Sequence, residues 1–302
     1  MKNEMPASTH ETLRCATRYP ILLVHGLGVR DGKRNIIWGR IPQTLRSYGA
    51  EVYFGEHDAW GTPDNNAVQL LERLPAILAE SGATKVNIIA HSKGGIDVRH
   101  LIKLFEDDEI PIASLTTIST PHHGSRSMEL LMATIPGAFT GVEGLVNGFF
   151  RSIGDKNPDY LATSGAITVS NMKKFNASQP NLAPLYSQQF SSSLHGCFDD
   201  FLSLITYPFV WFMEGPNDGL VARSSAAYDN YCGELSTKLG RGIPHALLVD
   251  ALQRPFSTIK IPGTIREVEE SFTGITGEIP LQPRDIVDFY IAVVADLKTR
   301  GL

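Results

Sequence analysis

In Ala90-His91-Ser92-Lys93-Gly94-Gly95 a serine stands between small residues, Ala90 two positions before it and Gly94 two positions after. That spacing suits a sharp strand-to-helix turn, where neighbouring backbones nearly touch and a hydroxyl is lifted out of the chain. Glycine at both flanks is the usual pattern, and Ala90 departs from it by a single methyl. The chemistry such a serine offers is nucleophilic. It needs a histidine to take its proton and a carboxylate to fix that histidine's tautomer. Around such a turn the three follow along the chain as serine, acid, histidine. The nine histidines stand at 10, 25, 57, 91, 100, 122, 123, 195 and 245. Only His195 and His245 come late enough, and only His245 follows a good acid, Asp218 in Gly215-Pro216-Asn217-Asp218-Gly219-Leu220-Val221. Asn217-Asp218-Gly219 also suits a plain turn, and Asp199, Asp200 and Asp250 stand in reserve.

Acyl transfer builds negative charge on a carbonyl oxygen, which two backbone N–H groups can stabilise. Lys93, next to the nucleophile, supplies one through its backbone. Leu27, in His25-Gly26-Leu27-Gly28 at the end of an apolar run, supplies the other. His25 is read as shaping that loop without acid–base work.

These residues need elements to hold them. Pro20 to Val24, Ala50 to Phe54, Lys85 to Ala90 and Ala113 to Ile118 read as strands. Ile41 to Tyr48, with Pro42 in its first turn, and Ile96 to Phe105 read as helices. Ala67, Leu70, Leu71, Leu74 and Leu78 recur at helical spacing, with a break or kink expected at Pro75. Alternating strands and helices predict an α/β fold, with a mostly parallel sheet covered by helices on both faces. Phe209 to Phe212 reads as a later strand just before the acid turn, and Asp285 to Leu297 as an amphipathic closing helix. The rhythm breaks from about 125 to 193, where Leu130 to Ile153 is apolar but broken by glycines. One domain over 1–302, carrying an inserted subregion there, is expected.

The residues resemble the bacterial triacylglycerol lipases of the Pseudomonas, Burkholderia and Proteus group, on the α/β-hydrolase fold. The likeness runs through Tyr19-Pro20-Ile21-Leu22-Leu23-Val24-His25-Gly26-Leu27, Gly82-Ala83-Thr84-Lys85-Val86-Asn87, the serine turn and Thr120-Pro121-His122-His123-Gly124-Ser125, and returns at Asn217-Asp218-Gly219-Leu220-Val221. It covers Tyr19 to Ser125 almost throughout and the later half in islands. It implies a triad of Ser92, Asp218 and His245, oxyanion donors at Leu27 and Lys93, and a mobile helical lid in the insertion. Plain core packing is the other reading of the apolar stretch. The family's calcium-binding aspartate, two residues after the histidine, is here Leu247, so no calcium and no other cofactor is expected. The disulfide cysteine that several members carry after the acid turn is absent from Arg223-Ser224-Ser225. Gly233 to Pro244 does not align, so His245 rests on its placement along the chain.

Composition bounds the rest. The 302 residues are 42% apolar and 20% charged, which suits one large globular domain. A net charge of -5 without a basic stripe argues against nucleic acid. Met1 to Pro20 lacks the apolar core of a signal peptide, and no segment is apolar enough to span a membrane, so a cytoplasmic location is expected. A removed signal or a dedicated export route would leave no trace. Cys15, Cys197 and Cys232 are read as free buried thiols, with a Cys197–Cys232 bridge as the alternative. The leading reading is a serine carboxylic ester hydrolase acting through an acyl-enzyme on lipidic or medium-chain esters, with transient contact to a lipid interface. An acyltransferase or phospholipase with the same triad, and a non-catalytic binding protein on the same scaffold, are the alternatives. Oligomeric state, chain-length preference and the role of the Lys93 side chain stay open.

Overall fold

The computed structural model describes residues 13–31, 36–105, 109–179, 185–197, 203–235, 242–251, 253 and 286–302. Among these residues, six strands form one parallel sheet in the order β2-β1-β3-β4-β5-β6. They are β1 (Ile21–Val24), β2 (Val52–Phe54), β3 (Val86–His91), β4 (Ile112–Ile118), β5 (Tyr186–Ser192) and β6 (Tyr231–Leu235). Side chains alternate across the sheet and build two cores. Ile21, Leu23, Ile89, Ile118 and Phe190 face α1 (Ile41–Ser47) and the C-terminal helix on one side. Leu22, Val24, Ile88, Ala90 and Leu115 face α2 (Pro63–Ser81) and α3 (Lys93–Leu104) on the other. Burial on both faces explains why β1 reads as an unbroken apolar run.

Register places the site. Val24 is level with Ala90, and Ala90 with Thr117. The loops leaving β1 and β3, which carry Leu27 and Ser92, therefore emerge side by side at the C-terminal rim of the sheet.

The middle of the chain is helical: α4 (Arg126–Thr134), α5 (Pro136–Ser152), α6 (Tyr160–Ala166) and α7 (Val169–Ser178). After β5 come α8 (Ser203–Glu214) and the short α9 (Arg223–Ala226), and the chain closes with α10 (Ile286–Thr299). Four expectations are corrected. Phe209 to Phe212 is the end of helix α8, not a strand. Its buried residues, Ser203, Tyr207 and Val210, recur at helical spacing while Phe212 is 86% exposed, and a short apolar run does not by itself distinguish helix from strand. The strand before the acid turn is β5, which lies inside the insertion expected over about 125–193; the helices α4 to α7 end at Ser178. The strand is mostly polar, and two of its side chains are paired across the sheet, Gln188 Nε2 to Thr116 Oγ1 (2.9 Å) and Ser192 Oγ to the Leu235 carbonyl (2.9 Å). Helix α2 continues through Pro75 without the expected break, and Pro75 is exposed. Helix α10 is buried nearly all round rather than amphipathic, with Asp296 accepting from the Tyr186 hydroxyl at 3.0 Å. Cys15, Cys197 and Cys232 are free, but only Cys15 is buried and the other two are partly exposed; burial pushes the Cys15 thiol up to about 12.

Candidate active site

Ser92 sits between β3 and α3 with φ 55° and ψ −133°, a backbone region that side chains rarely adopt. Its N–H donates to the Ile118 carbonyl at 2.9 Å, which holds the turn to β4. The small residues around it are required by contact. A Cβ on Gly94 would lie 2.3 Å from the His25 carbonyl oxygen, and one on Gly26 would lie 2.7 Å from Ser92 Cβ and 3.2 Å from its Oγ. The serine hydroxyl thus faces the loop that carries Leu27. Among the described residues, neither the Leu27 nor the Lys93 N–H has an acceptor within hydrogen-bond distance.

Asp218 and His245 come together, although 27 residues separate them. His245 Nδ1 lies 2.7 Å from Asp218 Oδ2, and the His245 N–H donates to the Asp218 carbonyl at 3.0 Å. The other carboxylate oxygen, Oδ1, accepts from the N–H groups of Leu220 (3.1 Å) and Val221 (2.8 Å). Three donors satisfy a fully buried carboxylate, and only Oδ2 is left for the histidine. The Asn217-Asp218-Gly219 turn is therefore more than a connection. Asn217 shapes it by accepting from Gly219 N–H at 2.8 Å, and Gly219 takes φ 101°. His245 opens a 3₁₀ turn, His245–Val249, and its ring lies 4.4 Å from that of His91, the residue before Ser92. Burial, and then repulsion from His245, hold His91 well below the usual histidine range, so it stays neutral beside the pair.

The reserve acids do other things or lie elsewhere. Asp250 is bound by Arg40 through three contacts of 2.6 to 2.8 Å, and Asp199 and Asp200 lie outside the described residues. Leu247, at the position where the resemblance puts a calcium-binding aspartate, is buried in the apolar core, and Asp250 is paired with Arg40. His25, Asp31 and His57 bring ligand-type atoms within 4.8 Å of one another. The two rings, however, stack face to face at 3.8 Å, and each Nε2 lies 3.2 Å from the other residue's carbonyl. That arrangement braces the loop after β1.

The sequence left the Lys93 side chain without a role. Its ammonium is buried and donates to both Asp97 oxygens at 2.8 Å, one turn along α3, while Asn66 Nδ2 adds a third donor at 2.8 Å. Burial pushes the Asp97 carboxyl up against these partners. The four-residue spacing was there to be read. Lys93→Met would leave Asp97 buried without its cation, and is expected to lower stability by about 3 to 5 kcal/mol. The double variant Lys93→Met/Asp97→Leu should recover most of that loss, as thermal unfolding of the three proteins would show. Nearby, buried Arg99 donates to Asn176 Oδ1 (2.7 Å) and lies 3.3 Å from His122 Nδ1, pinning α7 to the Pro121-His122-His123-Gly124 segment. Burial lowers its pKa to about 10.

A parallel sheet with helices on both faces, and a strained serine between β3 and α3, define an α/β-hydrolase fold. The domain family DUF7379, described only as a domain of unknown function, matches residues 2–129. The chain is 32% identical over 189 residues to a triacylglycerol lipase of Burkholderia plantarii, a match covering 58% of this chain and 52% of the relative. It is 35% identical over 178 residues to a triacylglycerol lipase of Vibrio cholerae, covering 56% of each. The chain thus spans about half the length of these curated relatives. Among solved structures, the metagenomic carboxyl esterase MGS0156 superposes with a TM-score of 0.62 at 16% identity, over 99% of this chain and 79% of that one, a likeness of fold.

Proposed function

We propose that the protein is a serine carboxylic ester hydrolase acting on lipidic or medium-chain esters through an acyl-enzyme. The observation that carries this is the buried Asp218–His245 pair at the rim where the strained Ser92 turn faces the Leu27 loop. Ser92 Oγ attacks the ester carbonyl and passes its proton to His245 Nε2, while Asp218 holds the imidazole by Nδ1. The N–H groups of Leu27 and Lys93 receive the oxyanion. His245 then protonates the departing alcohol. A water molecule, deprotonated by the same histidine, attacks the acyl-Ser92 ester; the acid is freed as His245 returns that proton to the departing Ser92 Oγ. The residues named supply every proton transfer, and none of these steps needs a metal.

The helices after Ser125 support an acyl-chain substrate and a lid. Helix α5 buries only Phe139 and leaves Leu145 76% and Phe149 58% exposed, and α8 exposes Ile205 and Phe212 by more than four-fifths. Apolar faces left open to water suit contact with lipid better than core packing. Assay of the purified protein on p-nitrophenyl esters of increasing chain length, with and without EDTA, tests the reading. Hydrolysis favouring medium or long chains and indifferent to EDTA is the expected result. Absence of turnover on every ester would refute it and favour a transferase needing its acceptor.

A further inference from the structure

We propose that Arg30 and Asp155 are positioning residues for the oxyanion loop, an inference that rests on the reading of Leu27 as an oxyanion donor. Two segments far apart in sequence clasp each other beside that loop. Asp155, in the turn after α5, accepts from the N–H groups of Ala59 (3.0 Å) and Trp60 (2.9 Å). Asp58 returns the arrangement by accepting from the N–H groups of Lys156 (2.8 Å) and Asn157 (2.7 Å). Arg30 bridges the two carboxylates: Nη1 donates to Asp155 Oδ1 and lies 3.6 Å from Asp58 Oδ1. Both acids are buried, with side chains 0% and 1% exposed, so the charges are compensated inside the protein.

The clasp closes on the oxyanion loop. The Gly28 N–H, one residue after Leu27, donates to the Ala59 carbonyl at 3.1 Å. Ala59 is held by Asp155, Asp155 by Arg30, and Arg30 follows Gly28 by two residues. The circuit Gly28–Ala59–Asp155–Arg30 therefore returns to the segment it started from, with the His25–His57 stack bracing the loop's other end. A loop tied on both sides holds the peptide between Gly26 and Leu27 in one orientation, and that orientation sets where the Leu27 N–H points. The same circuit runs through the turn closing α5. Gly154 takes φ 116° there, and a Cβ on it would lie 3.3 Å from the Arg30 guanidinium. Oxyanion geometry and the exit of the exposed helix α5 thus share one set of bonds.

An oxyanion donor acts on the transition state, so a loosened one lowers kcat and leaves KM nearly untouched. The test is steady-state hydrolysis of a short-chain p-nitrophenyl ester by full-length Arg30→Met, Arg30→Lys and Asp155→Asn, paired with inhibition by a trifluoromethyl ketone, whose hemiketal oxygen mimics the oxyanion. Arg30→Met and Asp155→Asn are expected to lose roughly 10- to 100-fold in kcat, short of the ~10²–10³ that follows loss of a whole donor. KM should stay within about twofold, and the ketone's Ki should rise by the factor that kcat/KM falls. Arg30→Lys, which keeps the charge, should recover most of the loss. Should Asp155→Asn not fold, the Arg30 variants decide alone, since that side chain is 21% exposed and its removal leaves Asp155 two backbone donors. Folded variants with wild-type kcat and Ki, or with raised KM and unchanged kcat, would overturn the proposal. Hydrolysis that survives Ser92→Ala would instead overturn the reading of the site.

Discussion

Ser92→Ala should keep the fold and lose about 10⁶-fold in kcat, the order seen when a serine nucleophile is removed from a triad hydrolase. Two things make the loss large. In the proposed mechanism the hydroxyl forms the acyl bond, and it is the oxygen that His245 deprotonates in the first step. The variant should not unfold, because alanine keeps the Cβ that Gly26 packs against and removes only an oxygen at the rim. Circular dichroism and thermal unfolding beside the ester assay would separate lost chemistry from lost structure. A Ser92→Ala protein with a wild-type rate would end the serine mechanism.

Asp218→Asn is expected to lower kcat by about 10⁴-fold. An amide keeps the shape of the turn, yet it disturbs the bond that matters. In the acid, Oδ1 is occupied by the Leu220 and Val221 N–H groups, and Oδ2 accepts from His245 Nδ1. The amide oxygen would stay with the two backbone donors, so the NH₂ group would face His245. The imidazole would then carry its proton on Nε2, toward Ser92, where it cannot act as a base. Measured across pH, the variant should stay slow throughout, because no titration restores the tautomer. A loss under tenfold would mean that another acid supports His245.

The fold was largely legible because β1 is buried on both faces and apolar throughout, and β3, equally buried, is apolar at four of its six positions. Their loops carry small residues where backbones meet, as at Gly26 and Gly94. The serine turn and the acid turn were legible for the same local reasons. What failed to show was long-range. Strand β5 is mostly Ser and Gln, and Gln188, Ser191 and Ser192 find partners on β4 and β6, so nothing in its own composition marked it as central. Helix α8 read as a strand because its buried stripe is narrow and its exposed face is aromatic. The Arg30–Asp155 pairing spans 125 residues, and neither residue lies in a recognisable motif.

The central claim is that Ser92 is a nucleophile activated by His245. It is tested most directly by treating the native protein with an alkyl fluorophosphonate and locating the adduct by peptide mass spectrometry. The account predicts one stoichiometric adduct, on Ser92, forming fast in the wild type and at least about 10³-fold more slowly in His245→Ala. An adduct elsewhere, or labelling of Ser92 that is indifferent to His245, would contradict it.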